Sequence, residues 1–281
     1  MAAPAAPSLA RARYSHLGAG CFSGAAALFF SVVFFVSSSS PQSAHAATYY
    51  WDTNDSTAGF GTAGGTWAAP TTNNSTQGWS TSAAGTSAMS GTTTTNATDA
   101  LNFGTGSAGL SLGTITVSGT VAANSLTFGS ASGNITLSGG TITLGGTTPT
   151  ITTDNTADTI SSVLAGSAGM TKNGTGTLLL TGTNTYTGAT TINAGTLNLT
   201  GNLSGGTAIT IDGTGVFTQG AASVISGTSS LTKNTADTTT LSGANTYNGT
   251  TTVNAGTLAI GATQTLGDIT GSGNLSLGSG F

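Results

Sequence analysis

The sequence predicts an all-β fold built from short strands that recur along the chain. Apolar residues occupy every second position of many short runs, which is the period of a half-buried strand. Thr fills many of the alternate positions and favours the pleated surface because its side chain is β-branched. Glycine contributes 44 of 281 residues and would destabilise helices wherever it occurs. No stretch shows a helical period, so helices are not expected.

The composition is poor in charge. Lys and Arg number 4, Asp numbers 8 and Glu is absent. Such a chain could be disordered, but it has only 5 Pro, and its Ile, Leu, Val and Phe are regularly spaced. Ordered structure is therefore expected.

The first 46 residues have the layout of a secretory signal peptide. Arg11 and Arg13 precede an apolar run, densest at Ala27–Val36, and Ala44-His45-Ala46 forms a small-x-small cleavage site. The alternative is an uncleaved anchor, because Leu17–Val36 could just span a bilayer. Cleavage after Ala46 would remove both His, both Arg and the single Cys. The mature chain could then form no disulfide, and its two Lys disfavour nucleic-acid binding.

Residues 47–100 form a distinct segment that contains all three Trp: Trp51, Trp67 and Trp79. We expect a cap that closes one end of an elongated core. The alternative is a carbohydrate platform, in which exposed Trp rings would stack on sugars.

Residues 101–281 contain the alternating runs. These are Thr114–Val117, Ser125–Phe128, Asn134–Leu137, Thr141–Leu144, Thr177–Leu180, Thr196–Leu199, Ala208–Ile211 and Thr257–Ile260. Turn signals such as SGG, NAG and DGTG separate them. We expect each run to be one strand.

A long repeat organises this region. Residues 162–197 align without a gap to residues 223–258, with 20 of 36 positions identical. Ungapped periodicity indicates a repeat array. A solenoid coil needs about 20 residues, so the 61-residue unit predicts three coils whose backbones pair with the coils on either side.

Asn193 and Asn254 precede the Ala-Gly of the two NAG triplets. Asn tolerates left-handed dihedrals, and Gly195 and Gly256 are expected to have positive φ. We therefore predict tight turns at one corner of the helix, three coils apart.

The repeat unit resembles the autotransporter-associated β-strand repeat, also called the passenger-associated transport repeat. The family pattern is roughly G-x-G-x-L-x-L-x-G-x-N-x-Y-x-G-x-T-x-[IV]-x-x-G-x-L. The first copy matches it at Gly174, Gly176, Leu178, Leu180, Gly182, Asn184, Tyr186, Gly188, Thr190, Ile192, Gly195 and Leu197. The second copy departs at Thr235, Asp237 and Thr239, and matches again at Leu241, Gly243, Asn245, Tyr247, Gly249, Thr251, Val253, Gly256 and Leu258.

This resemblance implies a right-handed parallel β-helix, a passenger displayed on or released from a Gram-negative-type surface. The family's usual transporter is a C-terminal outer-membrane β-barrel, which we do not expect within this chain. The sequence stops inside what looks like another repeat, so we expect it to be truncated at the C-terminus.

Candidates for chemistry are few. Asp52 with Asp55, and Asp154 with Asp158, are the paired acids that could cleave glycosides. The competing interpretation is that these residues cap turns. We expect no catalytic, cofactor-binding or metal site, and no enzyme activity. Lys172 and Lys233 occupy the same repeat position and are interpreted as structural.

Two further hypotheses concern binding. Tyr186 and Tyr247 could form a sugar-stacking ladder, although packing is the favoured interpretation. Thr ladders on a flat β-helix can bind ice, but the pairs Thr114/Thr116 and Thr141/Thr143 lie 27 residues apart, which is not a multiple of a coil. The sequence thus predicts an exported structural or adhesive solenoid. Candidate partners are surface polysaccharide or a host or neighbouring cell surface. A polysaccharide-binding or polysaccharide-cleaving β-helix is the alternative.

Overall fold

A computed structural model describes residues 46–89 and 91–278 of the chain. The predicted signal peptide lies outside these residues, apart from Ala46, and stays a prediction. The described residues contain strands and no helix. The strands are β1 (Thr48–Asp52), β2 (Thr66–Trp67), β3 (Thr71–Thr72), β4 (Gly78–Ser80), β5 (Thr92–Thr93), β6 (Ala100–Phe103), β7 (Gly113–Val117), β8 (Thr120–Ala123), β9 (Ser125–Phe128), β10 (Ile135–Ser138), β11 (Thr141–Leu144), β12 (Thr150–Thr153), β13 (Ala157–Ile160), β14 (Val163–Ala165), β15 (Met170–Asn173), β16 (Thr177–Leu180), β17 (Thr190–Leu199), β18 (Ala208–Gln219), β19 (Ser230–Lys233), β20 (Thr238–Leu241), β21 (Thr251–Val253), β22 (Thr257–Ile260), β23 (Ile269–Thr270) and β24 (Asn274–Leu277).

The strands wind into a parallel β-solenoid with about 20 residues per coil, which confirms the predicted fold class. Face 1 consists of β1, β6, β9, β12, β15, the first half of β17, the first half of β18, β19, β21 and β23. Face 2 runs from β2 through β7, β10, β13 and β16 to the second halves of β17 and β18. The sheet β20–β22–β24 occupies the equivalent place in the later coils. Face 3 begins as β8–β11–β14 and continues through isolated bridges at Asn184, Leu203 and Ile225.

Each predicted alternating run coincides with a strand, apart from Asn134, which precedes β10, because the two-residue period buries one side of each run. In β9, for example, Leu126 and Phe128 are buried while their neighbours are half-buried. The buried side chains of successive coils stack into one apolar column along the axis. Each coil therefore contributes a layer of core and a layer of backbone hydrogen bonds to its neighbours.

The three Trp lie inside the protein. Trp51 and Trp67 have no exposed surface and Trp79 is 3% exposed. The rings of Trp51 and Trp67 meet the Trp79 ring edge-on at 4.9 and 5.5 Å between centroids. The hypothesis of an exposed Trp platform for sugars is therefore wrong. Strand β1 pairs in parallel with β6, so this segment is continuous with face 1.

The NAG triplets mark the corner between faces 1 and 2. Gly195 and Gly256 have φ of 62° and 66°, as predicted. A Cβ on Gly195 would lie 2.5 Å from the carbonyl oxygens of Gly174 and Gly176, so only glycine fits. The asparagines themselves are not left-handed, because Asp55 is the only non-glycine residue with positive φ in the described ranges.

The first triplet differs from the predicted tight turn. Strand β17 continues through it, with a register break between Ile192 and Ala194, so the corner is a bulge. The second triplet joins two separate strands, β21 and β22. Successive registers place Asn193 and Asn254 three coils apart, with Asp212 and Asn234 in the two coils between. The predicted three-coil period is confirmed.

Candidate functional site

Lys172 and Lys233, the two lysines of the repeat, lie inside the corner between faces 1 and 2 and hydrogen-bond to its backbone. Both have 0% exposed surface. The Nζ of Lys172 donates to the carbonyl oxygens of Asn173, Gly174 and Ala194 at 2.7, 3.0 and 3.3 Å. These are carbonyls that the corner turns away from the sheet ladders, and a buried carbonyl without a partner is costly.

Lys233 does the same in the second repeat. Its Nζ donates to the carbonyl and hydroxyl oxygens of Thr235 at 2.6 and 3.0 Å, and it forms an ion pair with Asp237 at 2.9 Å. Neither ammonium group faces a groove where a substrate could approach. This geometry supports the interpretation of both lysines as structural.

Asp158 is a core residue, which corrects the expectation that it serves a turn. It lies in β13 and is 1% exposed. Its Oδ1 accepts hydrogen bonds from the backbone nitrogen of Ile135 and from the Nδ2 of Asn155, both at 2.9 Å, while its Oδ2 is buried without a partner. Burial raises the pKa of Asp158 to about 6, although these hydrogen bonds act to lower it. Burial also lowers the pKa of nearby Lys172, to about 8.

Asp154 lies at the surface, in a groove of about 420 Å³ lined by Ser130, Ser132, Asp154, Asn155, Thr156, Thr175 and Gly176. Asp158 does not line this groove. Only Asp154 of the two carboxylates is therefore exposed to a substrate in this groove, because Asp158 is buried. The groove holds one carboxylate among hydroxyl and amide groups.

The other predicted acid pair accepts hydrogen bonds from backbone groups. Asp52 is fully buried, and its Oδ1 accepts from the backbone nitrogen of Asn54 at 2.9 Å in an Asx turn. Burial raises the pKa of Asp52. The Oδ1 of Asp55 accepts from the backbone nitrogen of Met89 at 2.6 Å. No group of three or more His, Cys, Asp or Glu that could hold a metal occurs in the described part of the chain.

The repeated tyrosines are packing residues. Tyr186 and Tyr247 are 0% and 1% exposed, and their hydroxyls pair with Thr190 and Thr251 at 2.7 and 2.8 Å. The hypothesis of a sugar-stacking tyrosine ladder is therefore wrong. The pattern Y-x-x-x-T marks this buried pair in both repeats.

The two Thr pairs considered for an ice-binding ladder lie on different faces. Thr114 and Thr116 belong to β7 on face 2, and Thr141 and Thr143 belong to β11 on face 3. They do not form one ladder. Other threonines do align in a column on face 1. Their alignment is not visible in the sequence, because they are spaced unevenly along the chain.

The fold and the corner geometry define a repeat-bearing parallel β-solenoid. The model of the passenger-associated-transport-repeat family matches residues 170–199 and 231–260. The chain therefore carries two passenger-associated transport repeats. Each match contains one corner lysine, one buried tyrosine and one NAG triplet.

A related protein is the adhesin BmaC autotransporter of Brucella suis biovar 1 (strain 1330), which is 40% identical over 166 residues. The alignment covers 59% of this chain and 4% of that protein, so the chain spans a small part of its relative. No solved structure matches the chain. Among the residues that the structure describes, no helix has the length and apolarity needed to cross a membrane.

Proposed function

We propose that this chain is part of an exported passenger, displayed on or released from the cell surface, with an adhesive or structural role. Its similarity to a protein named an autotransporter adhesin carries this proposal. The two passenger repeats and the parallel solenoid support it. In this proposal residues 1–46 are the removed leader and residues 47–100 cap the solenoid, whose coils occupy residues 101–281.

We further propose that the chain is not an enzyme and binds through its outer surfaces. The burial of Asp158 outside the groove that Asp154 lines supports this, because glycoside hydrolysis generally needs two carboxylates at one bond. The partners would be surface polysaccharide or components of a host or neighbouring cell. A separate transporter would complete the export route.

Adhesion is tested by coating beads with the full chain and measuring the attachment of cells and of a glycan array. Attachment above that of albumin-coated beads is the expected result. If the chain is exported but attaches to none of these surfaces, the adhesive role is contradicted and the structural role is the one that remains.

The same preparation is tested against common polysaccharides. We expect no turnover. Turnover that Asp154→Ala abolishes, while the matched exposed variant Asp212→Ala retains it, would contradict the non-enzymatic proposal and identify the groove at Asp154 as an active site.

A further inference from the structure

Face 1 presents a threonine at the same outward position in seven consecutive coils. Each of these residues pairs in register with the next, and each lies between two inward-facing neighbours or follows one. The members of this threonine column are Thr150, Thr171, Thr191, Thr210, Thr232, Thr252 and Thr270. Neighbouring coils are about 4.8 Å apart, so the column repeats at that distance along the axis.

A second column lies two residues further along the strands, and we call it the amide column. Its members are Thr152, Asn173, Asn193, Asp212, Asn234 and Asn254. The Nδ2 of Asn193 donates to the Oδ1 of Asn173 at 3.3 Å, and the Nδ2 of Asn254 donates to the Oδ1 of Asn234 at 2.8 Å. Two strand residues span about 6.5–7 Å, so the two columns form an array of rows along face 1, with the amide column at the edge where face 1 turns the corner into face 2.

This array is almost free of charge. In the second and fifth rows of the array the residue between the threonine and the asparagine is a lysine, but Lys172 and Lys233 point inward and are buried. Asp212 is the one ionisable residue in the two columns. The array also contains no aromatic ring, so it lacks the stacking surface on which proteins commonly hold sugar rings.

Most threonine hydroxyls of the column are available to water. Within the described residues, the Oγ1 atoms of Thr171, Thr191 and Thr210 make no hydrogen bond to protein groups, whereas those of Thr252 and Thr270 hydrogen-bond to each other at 3.3 Å. Each side chain offers one methyl group and one hydroxyl, and its χ1 angle is restricted by β-branching. Water held on such an array is ordered before any ligand arrives, which lowers the entropic cost of binding.

We propose that this face binds ice. The ligand class follows from the geometry, because ice presents an uncharged lattice of oxygens whose repeat distances are comparable with those of the array. Hydroxyl and amide groups anchor the boundary waters, and the threonine methyl groups exclude disordered water between them. This activity is additional to the proposed adhesive role and does not depend on it.

The test compares two substitutions in one strand. Thr191→Arg places a long charged side chain within the array, in the third of its seven rows. Thr196→Arg is the matched control, because Thr196 is also half-buried in β17 and faces outward on face 2 of the same coil. The probe is ice itself, by thermal hysteresis and by enrichment of the full chain in a slowly grown ice fraction.

We expect the wild type and Thr196→Arg to enrich in ice, and Thr191→Arg to lose that enrichment. Far-UV circular dichroism melts establish that each variant is folded, and Thr210→Arg with Thr218→Arg supplies a second matched pair. Exclusion of the wild type from ice would overturn the proposal. So would an equal loss in both members of a pair, or binding to crystalline cellulose without binding to ice, which would assign the face to a polysaccharide.

Discussion

Asp99 is completely buried beside the backbone nitrogen of Ala47, the first residue of the predicted mature chain. Its Oδ1 accepts from that nitrogen at 3.0 Å, and its Oδ2 accepts from the backbone nitrogen of Asn96 at 2.8 Å. Cleavage after Ala46 would convert the Ala47 amide into an ammonium group. The mature N-terminus would then form an ion pair with a carboxylate that the fold already holds in place.

We therefore predict that a chain beginning at Ala47 is more stable than one that retains Ala46, by about 1–3 kcal/mol. Urea unfolding measures the difference. It should be present at pH 6 and lost as the pH rises above the pKa of the amine, about 8, because only the protonated amine forms the ion pair.

The control is Asp99→Asn, which should remove the difference between the two chains. N-terminal sequencing of the exported form should begin at Ala47 or within a few residues. An exported protein that retains Arg11 would contradict cleavage, and an equal stability of both chains at pH 6 would contradict the ion pair.

Asp158 should make stability depend on pH. Its pKa is raised from 3.8 to about 6, so the folded chain binds a proton more tightly than the unfolded chain. Stability from this group is fully present below pH 4 and is lost as the pH rises through 6, by about 1–3 kcal/mol. Asp158→Asn should remove this part of the pH dependence in urea unfolding.

The same experiment distinguishes Asp158 from the exposed acids. Asp154→Asn is the control and should leave the pH profile near that of the wild type. If both variants have the same profile between pH 4 and 7, the buried carboxylate is not the group responsible.

At the scale of elements, the aromatic cluster near the start of the described residues covers the first layers of the core. The Trp67 ring lies 6.4 Å from that of Phe103, which stacks on Phe128 at 5.1 Å in the next coil. The Nε1 of Trp67 donates to the Oγ1 of Thr95 at 3.1 Å. The cluster thus links the Trp-rich segment to successive coils.

We predict that Trp67→Ala destabilises the protein by about 3–5 kcal/mol, the usual cost of removing a fully buried large aromatic side chain. Hydrogen exchange should increase most in β6–β11 and least in β19–β22, because coils contact only their neighbours. The control is Leu112→Ala, since Leu112 is 71% exposed and its loss should change stability little. A uniform increase in exchange along the chain would contradict the role as a cap.

The elements also show which features a sequence can predict here. The strands were predictable because alternation is visible within four residues, as in Ser125–Phe128. The inward positions of Asp158 and Lys172 could have been found by the same alternation, because each lies two residues from a buried apolar neighbour, Ile160 or Met170. The continuous bulge at Asn193 could not be predicted, because the same NAG triplet forms a break between two strands at Asn254.

At the scale of the whole molecule, the outer columns were not predictable from fixed spacing. Successive members of the threonine column are 18 to 22 residues apart. The corners and loops absorb these differences in length, while hydrogen bonding between coils keeps the strands in register. Only the pairing of backbones reveals which threonines share a column.

The gap-free 61-residue period makes a prediction about the whole solenoid. Leu197 and Leu258 occupy equivalent positions, so deletion of residues 198–258 joins equivalent points and removes three complete coils. We expect this shortened chain to keep its β-sheet circular dichroism spectrum and to melt cooperatively, since each new interface repeats an existing one.

Deletion of residues 198–248 is the control, because it joins positions that are not equivalent and puts face 1 strands out of register. This chain should lose protease resistance and aggregate. Similar behaviour of the two deletions would contradict three-coil equivalence.

Because every coil is bonded only to the coils beside it, a pull on the two chain ends would detach coils in succession from one end. Each detached coil of about 20 residues would release roughly 66–72 Å of extended chain. The remaining coils would keep their bonds while the tether lengthens. If the molecule holds a cell, an applied force would unfold the coils in a series of small steps. Each step would dissipate part of the mechanical energy before the attachment breaks.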